Sequence, residues 1–272
     1  MAVLYDYHLH SSFSWDGKHE PDEMCRRAVD LGLSGICFTE HMDADYPKLP
    51  SDVIVSRPDL PACMRSGELL KERYRDVLRT GTGIELGMQL HLAGTYREML
   101  KEYPFDFVLA SMHLLYGEDH YYPGFWERHP DIHRVFCDYY RSLLQNLILL
   151  EDFDSCAHLD YIIRYVPAGM GRIEPAELFD VIDPVLNYLI DHDKCLEVNT
   201  SPLSSGKADP NPSPAILARY YSLGGRKITI GSDAHVPERI ASGFDRAAAV
   251  LKSLGFTEYR IFYQRKEESV PL

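Results

Sequence analysis

The sequence predicts an α/β fold, a parallel sheet closed into a barrel with its chemistry at the C-terminal ends of the strands, and three observations carry that reading. Short apolar runs of strand length recur near residues 3–9, 34–39, 82–86, 105–110, 154–158, 195–199 and 227–231. Helical patterns lie between them, and strand-helix alternation of this kind is the mark of a parallel sheet. Nearly every apolar run ends in a His, Glu, Asp or Asn. Active sites of α/β barrels are built where strands end, which favours a barrel over the doubly wound open sheet that shares the alternation.

The first run closes on Tyr5-Asp6-Tyr7-His8-Leu9-His10. In an extended strand residues two apart point to one face, about 6 to 7 Å from each other, so His8 and His10 could grip one ion. Two histidines so spaced are a weak signal alone. "PDEMCRRAVDLG" follows, with Pro21 suited to a first helical turn and Gly32 to a stop. The second run ends on His41 in "FTEH", and a proline-rich stretch around 42–63 is expected to be an ordered loop. Glu85 stands in "GIELG" and His113 in "SMH". The aromatic-rich "LLYGEDHYYPGFWERHPD" should then cover the strand-end face and shape a pocket. The fifth run carries His158 in "AHLD"; "PAELFDVIDPVLNYLIDH" is expected to be a helix kinked by Pro184. The last two runs end in "LEVNTS" and in "GSDAH", which holds Asp233 and His235, and "YRIFYQ" is expected to add an eighth strand.

Collected in order, His8, His10, His41, Glu85, His113, His158, Asp233 and His235 lie at strand ends, and Asp16 follows the first strand in "SWDG". Imidazole with carboxylate suits Zn, Fe or Mn, and nine donors exceed what one ion uses, so a multinuclear metal site is the economical reading. A histidine at one strand end is more often a hydrogen-bonded core residue; six gathered at the ends of successive strands are not explained that way. His19, His91, His120, His129, His133 and His192 fall in loops or helices and stay outside this shell, although His120, His129 and His133 are placed where substrate could reach them.

Composition narrows the function classes. A formal charge of −13 argues against a nucleic-acid backbone as the main partner, since such binding rests on a positive surface. No stretch approaches the roughly 18 apolar residues of a membrane span, and no basic segment with an apolar run precedes His8, so a soluble cytoplasmic protein is expected, in one domain over 1–272. Six scattered cysteines with no CxxC pair read as reduced core thiols.

The motifs "HLHSSFSWDG", "GLSGICFTEH", "GIELG", "SMH", "AHLDYIIRY", "EVNTS" and "GSDAH" resemble those of the polymerase-and-histidinol-phosphatase (PHP) superfamily over nearly the whole chain, and most closely its monofunctional histidinol-phosphate phosphatases. The resemblance implies a distorted seven-stranded barrel holding three divalent ions. It implies that His8, His10, Glu85 and Asp233 surround one ion, that Glu85 bridges to a second held by His113 and His158, and that Asp16, His41 and His235 hold the third. It implies hydrolysis of L-histidinol phosphate, a small phosphate monoester of histidine biosynthesis, by attack of a metal-bridging hydroxide on phosphorus. Arg164, six residues beyond His158, matches the family's phosphate-binding arginine, and Asp233 or His235 would assist the leaving group. Glu197 and Asn199, alternating on the sixth strand, would meet substrate or orient ligand histidines. Other branches act on nucleotides; their second motif tends toward "TDHD", whereas this chain reads "TEH". A purely structural module would be free to lose Asp16 or Asp233, and both are present.

Overall fold

The computed structural model describes residues 3–48, 55 and 57–272. Its strands are β1 (Tyr5–Leu9), β2 (Gly35–Met42), β3 (Arg79–Gly87), β4 (Phe107–Ser111), β5 (Leu114–Leu115), β6 (Glu118–Asp119), β7 (Ser155–Cys156), β8 (Cys195–Asn199), β9 (Ile228–Gly231), β10 (Glu258–Tyr263) and β11 (Lys266–Pro271). Its α-helices are α1 (Pro21–Asp30), α2 (Leu60–Tyr74), α3 (Ala93–Glu102), α4 (Pro123–Arg128), α5 (Ile132–Leu150), α6 (Phe179–Asp191), α7 (Ser201–Ser204), α8 (Pro214–Ser222) and α9 (Phe244–Ser253). Each of the seven apolar runs forms a strand, and those strands make one all-parallel sheet in the order β1-β2-β3-β4-β7-β8-β9. They are buried on both faces, which is why they read as unbroken apolar runs rather than as alternating patterns.

The barrel closes by backbone contacts past the end of β9. Asp233 N–H donates to His8 O at 2.7 Å, and His10 N–H donates to Ala234 O at 2.8 Å. Asp6 staples this seam, accepting from Ser232 N (2.9 Å), Ser232 Oγ (2.5 Å) and Ala241 N (3.0 Å). Gly231 is required where the strands approach, because a Cβ there would overlap the Cβ of His8.

Local signals explain the flanking elements. In α1, Glu20 and Glu23 form a capping box around Pro21, and the helix turns off at Gly32 with φ +71°. In α6 the chain runs through Pro184, and Val181, Ile182, Val185, Leu186 and Leu189 cover the sheet. The expected loop over 42–63 is only partly right. Residues 49–54 and 56 lie outside the described ones, and from Leu60 the chain is already α2, capped by Asp59 accepting from Ala62 N at 3.0 Å. A proline in the first turn starts a helix rather than prolonging a loop.

The expected eighth barrel strand is a strand, β10, but it does not join the barrel. It pairs antiparallel with β11 in a separate ribbon across the N-terminal ends of the barrel strands. Tyr7 Oη donates to Phe262 O at 2.7 Å; the Tyr7 ring packs edge to face on Phe107 with centroids 5.4 Å apart, and Phe107 packs on Phe262 at 5.1 Å with the rings tilted. All six cysteines are buried and unpaired. Among the described residues no helix is long and apolar enough to cross a membrane.

Candidate metal centre

The register of β2 against β3 sets His41 beside Glu85, and β1 lies on the other side of β2, so the strand-end donors of three strands reach one point. Glu85 is its hub. One carboxylate oxygen lies 2.8 Å from His41 Nδ1, 3.4 Å from His8 Nε2 and 3.6 Å from His10 Nε2. The other lies 2.9 Å from His158 Nε2 and 3.2 Å from His113 Nε2. Asp233 Oδ1 is 3.6 Å from His10 Nε2 and 3.7 Å from His8 Nε2. Asp16 Oδ2 is 3.1 Å from His235 Nε2 and 3.6 Å from His41 Nε2. All nine predicted donors are thus brought together.

The cluster fits metal ions better than it fits itself. His8 Nε2, His10 Nε2 and Asp16 Oδ1 are buried without a hydrogen-bond partner, a state that native structures rarely leave unresolved. Donor atoms fall within 4.8 Å of one another in four groups: His8-His10-Asp233, His8-Glu85-His158, His41-Glu85-His113 and His10-His41-His235. Neutral imidazole nitrogens and carboxylate oxygens converging this way, with no cysteine among them, suit Zn, Fe or Mn.

Further side chains hold the rings from behind. His8 Nδ1 meets Glu197 Oε1 at 2.5 Å, and His113 Nδ1 meets Asp43 Oδ1 at 2.8 Å. His10 Nδ1 meets Ser14 Oγ at 3.1 Å, and that hydroxyl donates to Glu40 at 2.6 Å. With Nδ1 engaged, Nε2 presents its lone pair to the site, the arrangement by which proteins orient metal-binding imidazoles. Glu197 takes the orienting role and is wholly buried. Sequence reasoning missed Asp43, Glu40 and Ser14; the signal was their place beside His41 and His10 in "TEHMD" and "HSSFS". Burial disfavours a charged His8, but Glu197, Glu85 and Asp233 overcome it and raise its pKa; burial, His41 and His235 hold His10 well below the usual histidine value. For Glu85 burial works upward, and the surrounding His8, His41 and His113 outweigh it and keep the carboxylate ionised. Both His158 (φ +46°) and Asp233 (φ +56°) occupy left-handed backbone, a strain that non-glycine residues keep where a site demands it.

Arg164 follows β7 on a 3₁₀ turn, Tyr161–Tyr165. Its guanidinium lies over the Tyr161 ring at 4.9 Å and donates to Asn199 Oδ1 (2.8 Å), Asn211 Oδ1 (2.5 Å) and Asp233 Oδ2 (3.3 Å). It faces a cavity of about 430 Å³ whose floor is the cluster and whose walls include Trp15, Tyr46, Asp119, Tyr121, Tyr122 and Tyr165. The aromatic stretch does shape this pocket: β5 and β6 turn at Tyr116-Gly117, both with positive φ, as a two-residue hairpin requires. Of the histidines placed within reach of substrate, none lines the cavity. His120 is buried among Phe125, Tyr139, Tyr161 and Tyr165, His129 pairs with Glu118, and His133 sits on α5 against Cys137.

Comparison with known proteins agrees with this geometry. A chain from Clostridium acetobutylicum named "Probable histidinol-phosphatase" is 34% identical over 267 residues, covering 97% of this chain and 98% of that one. The histidinol-phosphatase of Lactococcus lactis is 30% identical, covering 94% and 93%. A crystal structure of the Lactococcus lactis histidinol phosphate phosphatase, complexed with Zn, L-histidinol and phosphate, superposes with a TM-score of 0.86 at 29% identity, covering 97% of this chain and 98% of that one. The PHP domain model matches residues 6–201, and with seven parallel strands, a strand-end cluster and full-length relatives in agreement, the chain belongs to the PHP domain family.

Proposed function

We propose that the protein is a metal-dependent phosphomonoesterase that hydrolyses L-histidinol phosphate to L-histidinol and inorganic phosphate, acting as a single domain over 1–272. The observation that carries this reading is Arg164 held beside a carboxylate–imidazole cluster with unpaired donor atoms, in one cavity of small-molecule size.

In this reading three divalent ions, Zn, Fe or Mn, are held by His8, His10, Glu85 and Asp233, by Glu85, His113 and His158, and by Asp16, His41 and His235. Bound there, such ions supply a strong nucleophile near neutral pH and offset the charge of the phosphoryl oxygens. The chain's own residues do the rest. Arg164 takes phosphoryl oxygens through its guanidinium fork, which Asn199, Asn211 and Tyr161 hold rigid before substrate arrives. Asp233 ties that arginine to the cluster, so phosphate recognition and the reacting centre share one side chain. The proton for the departing alkoxide is assigned to the pair of Asp233 and His235, which both line the cavity with Oδ1 and Nδ1 3.8 Å apart. The aromatic walls line a cavity of small-molecule size, and the acidic net charge disfavours a polyanionic partner.

The test is phosphate release by the metal-replete protein from L-histidinol phosphate, nucleotides and p-nitrophenyl phosphate under identical conditions, with His8→Ala as control. A kcat/KM for histidinol phosphate about a hundredfold above the others, lost in the control, is the expected result. Equal or better turnover of a nucleotide would move the protein to another branch of the family.

A further inference from the structure

The motif "AHLDYIIRY" contains an acid, Asp160, that stands outside both the cluster and the catalytic cavity. It precedes the 3₁₀ turn that carries Arg164, a position where an aspartate ordinarily caps its own turn. Its side chain caps no N–H of that turn. The buried carboxylate reaches instead to the segment before α8, accepting from Asn211 Nδ2 at 2.6 Å and from Ser213 N at 2.9 Å. Asn211 is the residue that takes Arg164 Nε, through Oδ1 at 2.5 Å. Its backbone is fixed separately, donating from N to Asn199 O at 2.9 Å and accepting at O from Asn199 N at 2.7 Å. What remains to be set is which way its side-chain amide faces.

An amide has a donor end and an acceptor end, and a half-turn exchanges them. A guanidinium has donors alone, so Asn211 can hold Arg164 only with its oxygen forward. The Asp160 carboxylate behind it accepts, and so admits only the nitrogen end. The two demands agree. With Nε held by Asn211, Nη2 by Asn199 Oδ1 and Nη1 by Asp233 Oδ2, each terminal nitrogen keeps one N–H for phosphate.

We infer that Asp160 is a positioning residue for phosphate recognition: by holding the Asn211 amide with its oxygen forward, it fixes which N–H groups Arg164 offers to the substrate. This rests on the reading of the site as a phosphomonoesterase and adds a residue behind the phosphate site that sets its geometry.

The experiment is a double-mutant cycle on the metal-replete protein. Asp160→Asn keeps an oxygen for Ser213 N–H but turns a donor toward Asn211, so that a donor ends up facing another donor, at Asn211 or at Arg164 Nε. Asn211→Asp sets two carboxylates against each other. The two substitutions together restore donor to acceptor, with an oxygen toward Arg164. In Asp160→Asn the KM for L-histidinol phosphate and p-nitrophenyl phosphate, and the Ki of inorganic phosphate, should rise by about 10- to 100-fold, the loss of one hydrogen bond to a charged group, with kcat lowered less and metal content unchanged. The double variant should return to within about threefold of wild type. A role confined to pinning Ser213 gives losses that add in the double variant; that result, or wild-type KM in Asp160→Asn, overturns the inference. Should Asp160→Asn fail to fold, Asn211→Asp against the double variant carries the same decision. The Nε–H proton resonance of Arg164 in the Zn-loaded protein, identified by its absence in Arg164→Ala, reads the relay without turnover. It should exchange slowly with solvent in wild type and in the double variant and fast in either single variant; a resonance that neither single variant alters overturns the inference. If that pattern holds and no phosphate monoester is hydrolysed, the hold of Asp160 on Arg164 stands and the phosphomonoesterase reading falls.

Discussion

The two ends of the barrel face the same electrostatic problem and solve it differently. At the N-terminal end, charges at the barrel-strand starts are paired within the chain, carboxylates with cations of the flanking elements and cations with carboxylates of the β10–β11 ribbon. Asp154 is paired with Arg265 at 2.6 Å, Asp106 with Lys71 at 3.1 Å, Glu267 with Lys227 at 2.7 Å and Glu268 with Arg79 at 2.6 Å. At the C-terminal end Glu85, Asp233, Asp16, Asp43, Glu197 and Glu40 gather with imidazoles, and among the described residues Arg164 is the one permanent cation lining the cavity. One end pairs its carboxylates with cations of the chain itself, so it serves stability, although Thr80 Oγ1 and Arg265 Nε are also buried there without a hydrogen-bond partner. The other leaves buried donor atoms unpaired, so it is completed from outside, and that incompleteness is where the function resides.

The sharpest way to break this contrast is at its hub. Glu85→Gln removes the charge that five imidazoles share, and we expect bound metal to fall and kcat/KM to drop on the order of a thousandfold or more, since clustered ions contribute several kcal/mol to such reactions. Elemental analysis beside a phosphate-release assay checks it; retention of all metal with unchanged turnover would contradict the assignment of Glu85 as the shared ligand. Arg164→Ala is next in size. Loss of a preorganised guanidinium on a transferring phosphoryl group should lower kcat/KM by about 100- to 1,000-fold while metal content stays near wild type. Wild-type kinetics would remove Arg164 from the phosphate site.

A smaller effect separates ligand from support. Glu197 does not line the cavity; it stands behind His8, so Glu197→Gln should keep the ring in place and weaken only its basicity as a donor. Metal affinity, read by competition with a chelator, should fall by about 10- to 100-fold with KM for substrate unchanged. A rise in KM without loss of metal would instead put Glu197 in contact with substrate.

How much of this was legible in the sequence follows the same division. The seven barrel strands are visible because burial on both faces writes long apolar runs, and the nine donors are visible because each ends or follows such a run. The destination of β10 was not. Its burial alternates, with Tyr259 and Ile261 inside and Glu258 and Arg260 half-exposed, a one-sided pattern that marks a ribbon strand rather than a barrel strand. The supports of the site are hidden for another reason. Asn211 lies 47 residues from Arg164, and Glu197 lies 189 from His8, so only closure of the barrel brings them together. Asp43 and Glu40 are close to His41 in sequence, yet their partners His113 and Ser14 are not. Metal ligands must be of a few residue types at strand ends, whereas supports need only reach a ring from behind, which many residue types and places allow.

The smallest effect tests the satisfied end. Arg265 Nε lies 2.6 Å from Asp154, whose carboxyl is 9% exposed, and the same guanidinium reaches Asp152 at 2.7 Å. Burial raises the pKa of Asp154, while Arg265 and the Val108 N–H pull it down. Arg265→Ala removes the cation and leaves a buried carboxylate whose pKa rises further. The cost should be about 2 kcal/mol, below that of a fully buried pair because Arg265 is partly exposed. The sign with pH follows from linkage. A carboxyl whose folded pKa lies above its unfolded value adds stability below the unfolded pKa, and that contribution is lost as pH rises through the folded pKa. Raising the folded pKa makes the variant's deficit smallest in acid, where Asp154 is protonated, and largest near neutrality. Denaturant melts of both proteins from about pH 4 to 8 measure it. Metal content and turnover of the folded variant should match wild type, since Arg265 lies at the opposite end of the barrel from Glu85. Loss of metal in Arg265→Ala would mean that the two ends are energetically one unit, and the division between a self-satisfied end and a metal-completed end would have to be abandoned.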